Sequence, residues 1–154
     1  MVRMFLQSFL LNGKSRLFAL IPLTFREQER LAKEVIQENT LSFSSEPPFE
    51  GLHYIAGVDI SFVKSTNKAC AMLAILNYPS LTLRHQTYEI VEMTEEYIPF
   101  YLAFREVKHL LRLFERVKEE CPEIMPQVVF VDGGGVWHPK GTLLSSSYCI
   151  LKPC

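Results

Sequence analysis

Three carboxylates stand where a chain rarely places them without cause. Asp59 lies inside the alternating run "YIAGVDISFV", between Val58 and Ile60. Glu106 falls within the apolar arc of "PFYLAFREVKHLLRLFERVKEE", and an acid there is disfavoured unless paired with a base or a metal. Asp132 closes the apolar run "VVFV" and leads into Gly133, Gly134 and Gly135, followed by Trp137 and His138. Each has a plain structural alternative: a solvent-facing strand Asp, a core-edge salt bridge, and an Asp that opens a glycine turn. Taken together, they suggest acids from two strands and a helix converging on one point. Gathered carboxylates repel, and a hard divalent ion with oxygen preference relieves that repulsion. Mg²⁺ held this way activates water and stabilises charge on a phosphodiester. The chemistry indicated is metal-dependent phosphoryl transfer. No convincing serine or cysteine nucleophile stands beside a base, and "PKGT" lacks the lysine placement of a phosphate-binding loop.

The elements that must position these acids read as follows. In "YIAGVDISFV", alternation puts Val58, Ile60 and Phe62 on one face and Gly57, Asp59 and Ser61 on the other. "ACAMLAIL" is apolar throughout, as for a strand covered on both faces. "YPS" makes a turn and "LTLRHQTYEIVEM" a third strand, so the three strands form an antiparallel meander. The helix that follows starts at a proline and ends before "CP". At roughly 100° per residue its apolar arc centres near Val107, with Ala103, Leu110, Phe114 and Val117. Leu102 and Leu113 extend the arc on the side where Glu106 falls, while Arg105, Lys108, Arg112 and Glu115 keep to the opposite side. "QVVFVD" gives a short parallel strand, expected to be central. Ahead of the sheet, "FREQERLAKEVIQEN" is an amphipathic helix with Leu31, Val35 and Ile36 on one side, and "SFSSEPPFEG" is a loop. The class is α/β.

Length and composition bound the rest. The chain has 154 residues, 48% apolar and 21% charged, which suits one globular domain. Net charge is −1 with pI about 6.4, so no overall field draws it to nucleic acid or an anionic membrane. Phosphate recognition would have to be local or carried by a metal ion. Cys70, Cys121, Cys149 and Cys154 show no C-x-x-C and read as reduced thiols, not zinc ligands. "NGKSR" interrupts the N-terminal apolar runs, so no membrane span of roughly 20 residues fits there. Arg3, Lys14 and Arg16, with no acid before Glu27, resemble an organelle-targeting leader in composition.

"GVDISF", "EYIPFYLAFRE" and "VDGGGVWHPKG" closely resemble, in order, the leading motifs of the endonuclease V family. That resemblance implies a ribonuclease H-like fold: three antiparallel strands, a helix, then a parallel strand. It implies cleavage of RNA or DNA on the 3′ side of inosine by metal-activated water. Asp59 and Asp132 match the family's Mg²⁺ ligands, and Glu106 the acid that completes the site; Mn²⁺ is expected to substitute. Tyr97, with Ile98 and Pro99, matches the wedge beside the flipped base; Gly133, Gly134 and Gly135 would admit the base, and His138 would contact the scissile region. Expected partners are inosine-containing single-stranded RNA or DNA. The chain is expected to be monomeric, without a membrane, and located in cytoplasm, nucleus or nucleolus.

The sequence also departs from the family pattern. Glu96 stands where proline is usual, and Phe100 where glycine is usual. The resemblance runs from about Arg26 to Gly141, leaving 1–25 as a variant N-terminus and 142–154 as a divergent tail. The C-terminal half of the fold is expected to be missing, leaving an exposed sheet edge open to association. On this reading catalysis is impaired; the alternative is a non-catalytic inosine-binding or regulatory form.

Overall fold

The computed structural model describes residues 41–94 and 102–131, together with Arg26, Glu29, Arg30 and Lys33. Those four are helical and exposed. Their spacing makes them one polar stripe of the expected amphipathic helix.

Strand β1 (Tyr54–Phe62) pairs antiparallel with β2 (Lys68–Asn77), which pairs antiparallel with β3 (Leu83–Glu92). The helix α1 (Leu102–Glu120) follows, then a single 3₁₀ turn at Pro122–Ile124 and the strand β4 (Val128–Val131). β4 lies parallel to β1, so the sheet order is β3-β2-β1-β4. The meander and the parallel return are those read from the sequence. The strand reads as central in the full sheet and as an open edge without the C-terminal half; among the described residues β4 is an edge strand with β1 as its one neighbour.

Each link has a local cause. Between β1 and β2, the Thr66 hydroxyl donates to Val63 O at 3.0 Å and accepts from Lys68 N at 3.1 Å, closing the hairpin. Between β2 and β3, Leu81 N donates to Asn77 O at 2.8 Å across the Tyr78–Pro79 turn. The core lies on one face of the sheet, where Ala69, Ala71, Leu73 and Ile75 of β2 meet Leu110, Leu113 and Val117 of α1.

That placement corrects the reading of β2. Its burial alternates strictly: Ala69, Ala71, Leu73 and Ile75 are buried, whereas Met72 on the other face is 38% exposed. An all-apolar strand signals cover on both faces, and among the described residues helical cover is present on one. The helix arc is corrected too. Its buried positions are Glu106, His109, Leu110, Leu113 and Val117, with Val107 and Phe114 only half-buried. The buried stripe is therefore centred on Glu106 itself and not on Val107.

Candidate functional site

Asp59 lies on the face of β1 opposite α1, between buried Val58 and Ile60, and is exposed. Cross-strand register builds its surroundings. Asp59 pairs with Met72, Gly57 with both Ala74 and Phe130, and Ser61 with Cys70. These residues line a shallow hollow of about 550 Å³. Gly57 contributes to its openness, since a Cβ there would meet nothing within 4 Å. A glycine inside a strand often marks a close approach to the backbone. The glycine of "AGVD" carries that signal in the sequence, whereas the register that brings Ser61, Cys70 and Met72 alongside Asp59 is visible only in the fold.

The last described rung of the parallel ladder between β1 and β4 is Val58 with Val131, one residue before Asp59. Asp59 therefore stands just past that rung, towards the carboxyl ends of two parallel strands. Open α/β sheets bind ligands at such ends.

Glu106 reaches this end of the sheet from the other layer. It is 6% exposed, on the stripe of α1 that continues through Leu110, Leu113 and Val117. The Arg105 guanidinium lies 5.4 Å from the centroid of the Phe62 ring. This contact sets the first turns of α1 over the C-terminal end of β1. Asp59 and Glu106 thus share an end of the sheet but belong to opposite faces of it. Among the described residues, no three acid, histidine or cysteine side chains cluster to hold a metal ion. Asp132, Tyr97, Ile98, Pro99, Gly133, Gly134, Gly135 and His138 lie outside the described residues.

The seating of α1 rests on polar contacts with β3. Arg112 donates to both carboxylate oxygens of Glu89, at 3.2 and 3.1 Å. The same guanidinium donates to Nδ1 of His109, at 2.7 Å, and His109 is 4% exposed. Arg116 donates to the buried hydroxyl of Thr87 at 3.0 Å and to Tyr88 O at 3.2 Å. His109 was missed in the sequence, although it lies on the Glu106–Leu113 side of the helix at ideal spacing.

Cys70 and Cys121 are free thiols. Burial pushes the Cys121 thiol upward, and Glu123 and Glu120 add to the shift. A thiol raised in this way is a poor nucleophile at neutral pH. Among the described residues no helix is long and apolar enough to cross a membrane.

Comparisons with known proteins converge. The sequence profile of one family, Endonuclease V, matches residues 23–151. The human endonuclease V is 43% identical over 117 residues, covering 75% of this chain and 42% of its own length. The mouse protein is 43% identical over 116 residues, 75% of this chain and 34% of its own. The crystal structure of the human catalytic domain superposes with a TM-score of 0.82 at 38% identity, over 86% of this chain and 54% of that one. The Ciona intestinalis endonuclease V, crystallised with a 24mer DNA containing an inosine followed by a ribo-adenosine, has a TM-score of 0.77. It is 26% identical, over 86% of this chain and 54% of its own. The chain therefore spans about half the length of the relatives' solved domains and less than half of the human and mouse sequences.

Proposed function

The chain belongs to the endonuclease V family, and we propose that it acts on inosine-containing nucleic acid through a cation site built on Asp59. The observation that carries this reading is the position of Asp59: an exposed carboxylate one residue past the last described rung of the parallel β1–β4 ladder. A ladder continued by one residue would pair Asp59 with Asp132. Glu106, at the same end of the sheet, would complete an all-oxygen donor set suited to Mg²⁺ or Mn²⁺. Glu106 would join that donor set from the helix layer. When bound, the ion supplies Lewis-acid stabilisation of the phosphodiester and a more acidic water.

The chain's own residues have separate tasks on this reading. Asp59 and Asp132 fix ligand oxygens, and Glu106 orients the attacking water from a buried position that limits its motion. Tyr97, flanked by Ile98 and Pro99, stacks beside the base. Gly133, Gly134 and Gly135 let the base approach the backbone, and His138 contacts the scissile region. The inosine-containing DNA bound by the Ciona relative supports nucleic acid of this kind as substrate, with RNA equally compatible.

The test is incubation with an inosine-containing RNA or DNA, with and without Mg²⁺. Cleavage that needs both Mg²⁺ and Asp59 is expected, and product no greater than that of Asp59→Ala removes the enzyme reading. The alternative reading is that the chain binds inosine-containing nucleic acid without cutting it. Binding that survives Asp132→Ala and weakens in Tyr97→Ala would select it.

A further inference from the structure

We propose that Gln127 is a positioning residue, holding β4 in the register that brings the strand's carboxyl end against Asp59. Its functional consequence rests on the cation-site reading above; the register claim stands on the described geometry alone.

Gln127 immediately precedes β4 and is bonded across to the lead-in of β1 through both main chain and side chain. Its main-chain N–H donates to Tyr54 O at 3.0 Å. Its Oε1 accepts from His53 N at 2.7 Å and Tyr54 N at 3.3 Å, and its Nε2 donates to Gly51 O at 2.8 Å. One side chain therefore ties together three backbone groups more than 70 positions away in sequence. Gly51 has φ +89°, a conformation other residues rarely adopt, so glycine is the residue that keeps this carbonyl in place for Gln127.

The strand itself specifies its register poorly. β4 has four residues and one described neighbour, joined by parallel pairing, which is slightly weaker per residue than antiparallel. Its sequence, Val-Val-Phe-Val, is apolar at every position, so a slip that exchanges faces puts no polar side chain into the core. A two-residue slip preserves the faces and moves the strand's end by about 6.6 Å along β1. Val131 would then stand at the level of Ala56 or Ile60, and any ligand supplied after it would lose its place beside Asp59. The information that excludes such slips comes from outside the ladder, and Gln127 supplies it at the first rung, Ile55 with Val128.

Two substitutions in the full chain test this. Gln127→Leu keeps the size and removes the side-chain bonds; Gln127→Glu keeps the acceptor for His53 and Tyr54 but loses the donor to Gly51. Amide hydrogen exchange is read in β4 and, as an internal control, in the β2–β3 ladder. Gln127→Leu should speed exchange over residues 128–131 by roughly tenfold while the control ladder moves less than about twofold, with Gln127→Glu between. Equal acceleration in both ladders, or none in β4, overturns the proposal. Mn²⁺ titration followed by electron paramagnetic resonance gives the second readout. Asp59-dependent Mn²⁺ binding should weaken in Gln127→Leu and less so in Gln127→Glu. Unchanged affinity alongside faster β4 exchange also overturns the positioning role. If the unaltered chain binds no Mn²⁺ through Asp59, the cation-site reading falls, and the exchange result alone decides the claim for Gln127. Should Gln127→Leu fail to fold, Gln127→Glu carries both measurements.

Discussion

Glu106 holds the most consequential position in the described chain. A carboxylate 6% exposed at the centre of a helix's buried stripe carries a desolvation cost that a core leucine there would not. Glu106→Gln is expected to keep the circular dichroism spectrum while Mn²⁺ binding is lost, and binding equal to that of the unaltered chain would remove Glu106 from the site. Cys121 allows a separate check. Its thiol is raised by burial and by two neighbouring glutamates, so iodoacetamide at pH 8 should modify it more slowly than an unstructured cysteine peptide. The same shift has a stability consequence. The thiol is protonated in both states below the unfolded value, so its contribution is intact there and falls as pH rises through the folded value. A Cys121→Ala chain should lose less stability than the unaltered one between neutral and alkaline pH.

The helix α1 is the element on which the site depends, and two kinds of contact seat it. Leu110, Leu113 and Val117 fill the face of β2, and Leu113→Ala should cost about 2–5 kcal/mol in chemical denaturation. The polar contacts to β3 are unequal. The Arg112–Glu89 pair is bidentate, but its side chains are 47% and 29% exposed, so solvent screening leaves it worth about 0–1 kcal/mol. Arg116 satisfies the hydroxyl of Thr87, which is 8% exposed, and a buried polar group left unmatched costs about 1–3 kcal/mol. Arg112 also satisfies Nδ1 of the buried His109, so Arg112→Met and Arg116→Met should each cost about 1–3 kcal/mol. Glu89→Gln, which touches only the exposed pair, should cost about 0–1 kcal/mol, a ranking that thermal melts decide. The helix was legible because a 3.6-residue period survives its charged interruptions. The centre of its buried arc was not, since Val107 and Leu113 are equally apolar and only the sheet decides which of them faces inward.

At the scale of the whole molecule, the sheet among the described residues has one sealed face and one open one. Tyr88, Ile90 and Phe130 are 61%, 62% and 63% exposed, and Met72 joins them on the face that carries Asp59. Exposed apolar patches of this kind promote contact between molecules. Sedimentation velocity should show apparent mass rising with concentration, and Ile90→Lys should reduce that rise without changing the circular dichroism spectrum. A single, concentration-independent species would show that this face is not self-associating. The relatives' solved domains are about twice the length this chain matches, so cover for the face in the family need not come from the described residues.

What the sequence determined by itself is what local periodicity and residue chemistry encode. It yielded the order of elements, the alternation that turns Asp59 away from Val58 and Ile60, the acid within a helix stripe, and three motifs specific enough to indicate the family. Tertiary structure alone decided which face of β2 is sealed, that β4 pairs with β1 in the register that sets Val131 opposite Val58, and that Glu106 lies at the centre of its helix's buried stripe. It also brought Gln127 against Gly51, His53 and Tyr54. These depend on pairings between segments distant in the chain, and a strand apolar at every position carries no internal mark of its partner, its register or its covered side.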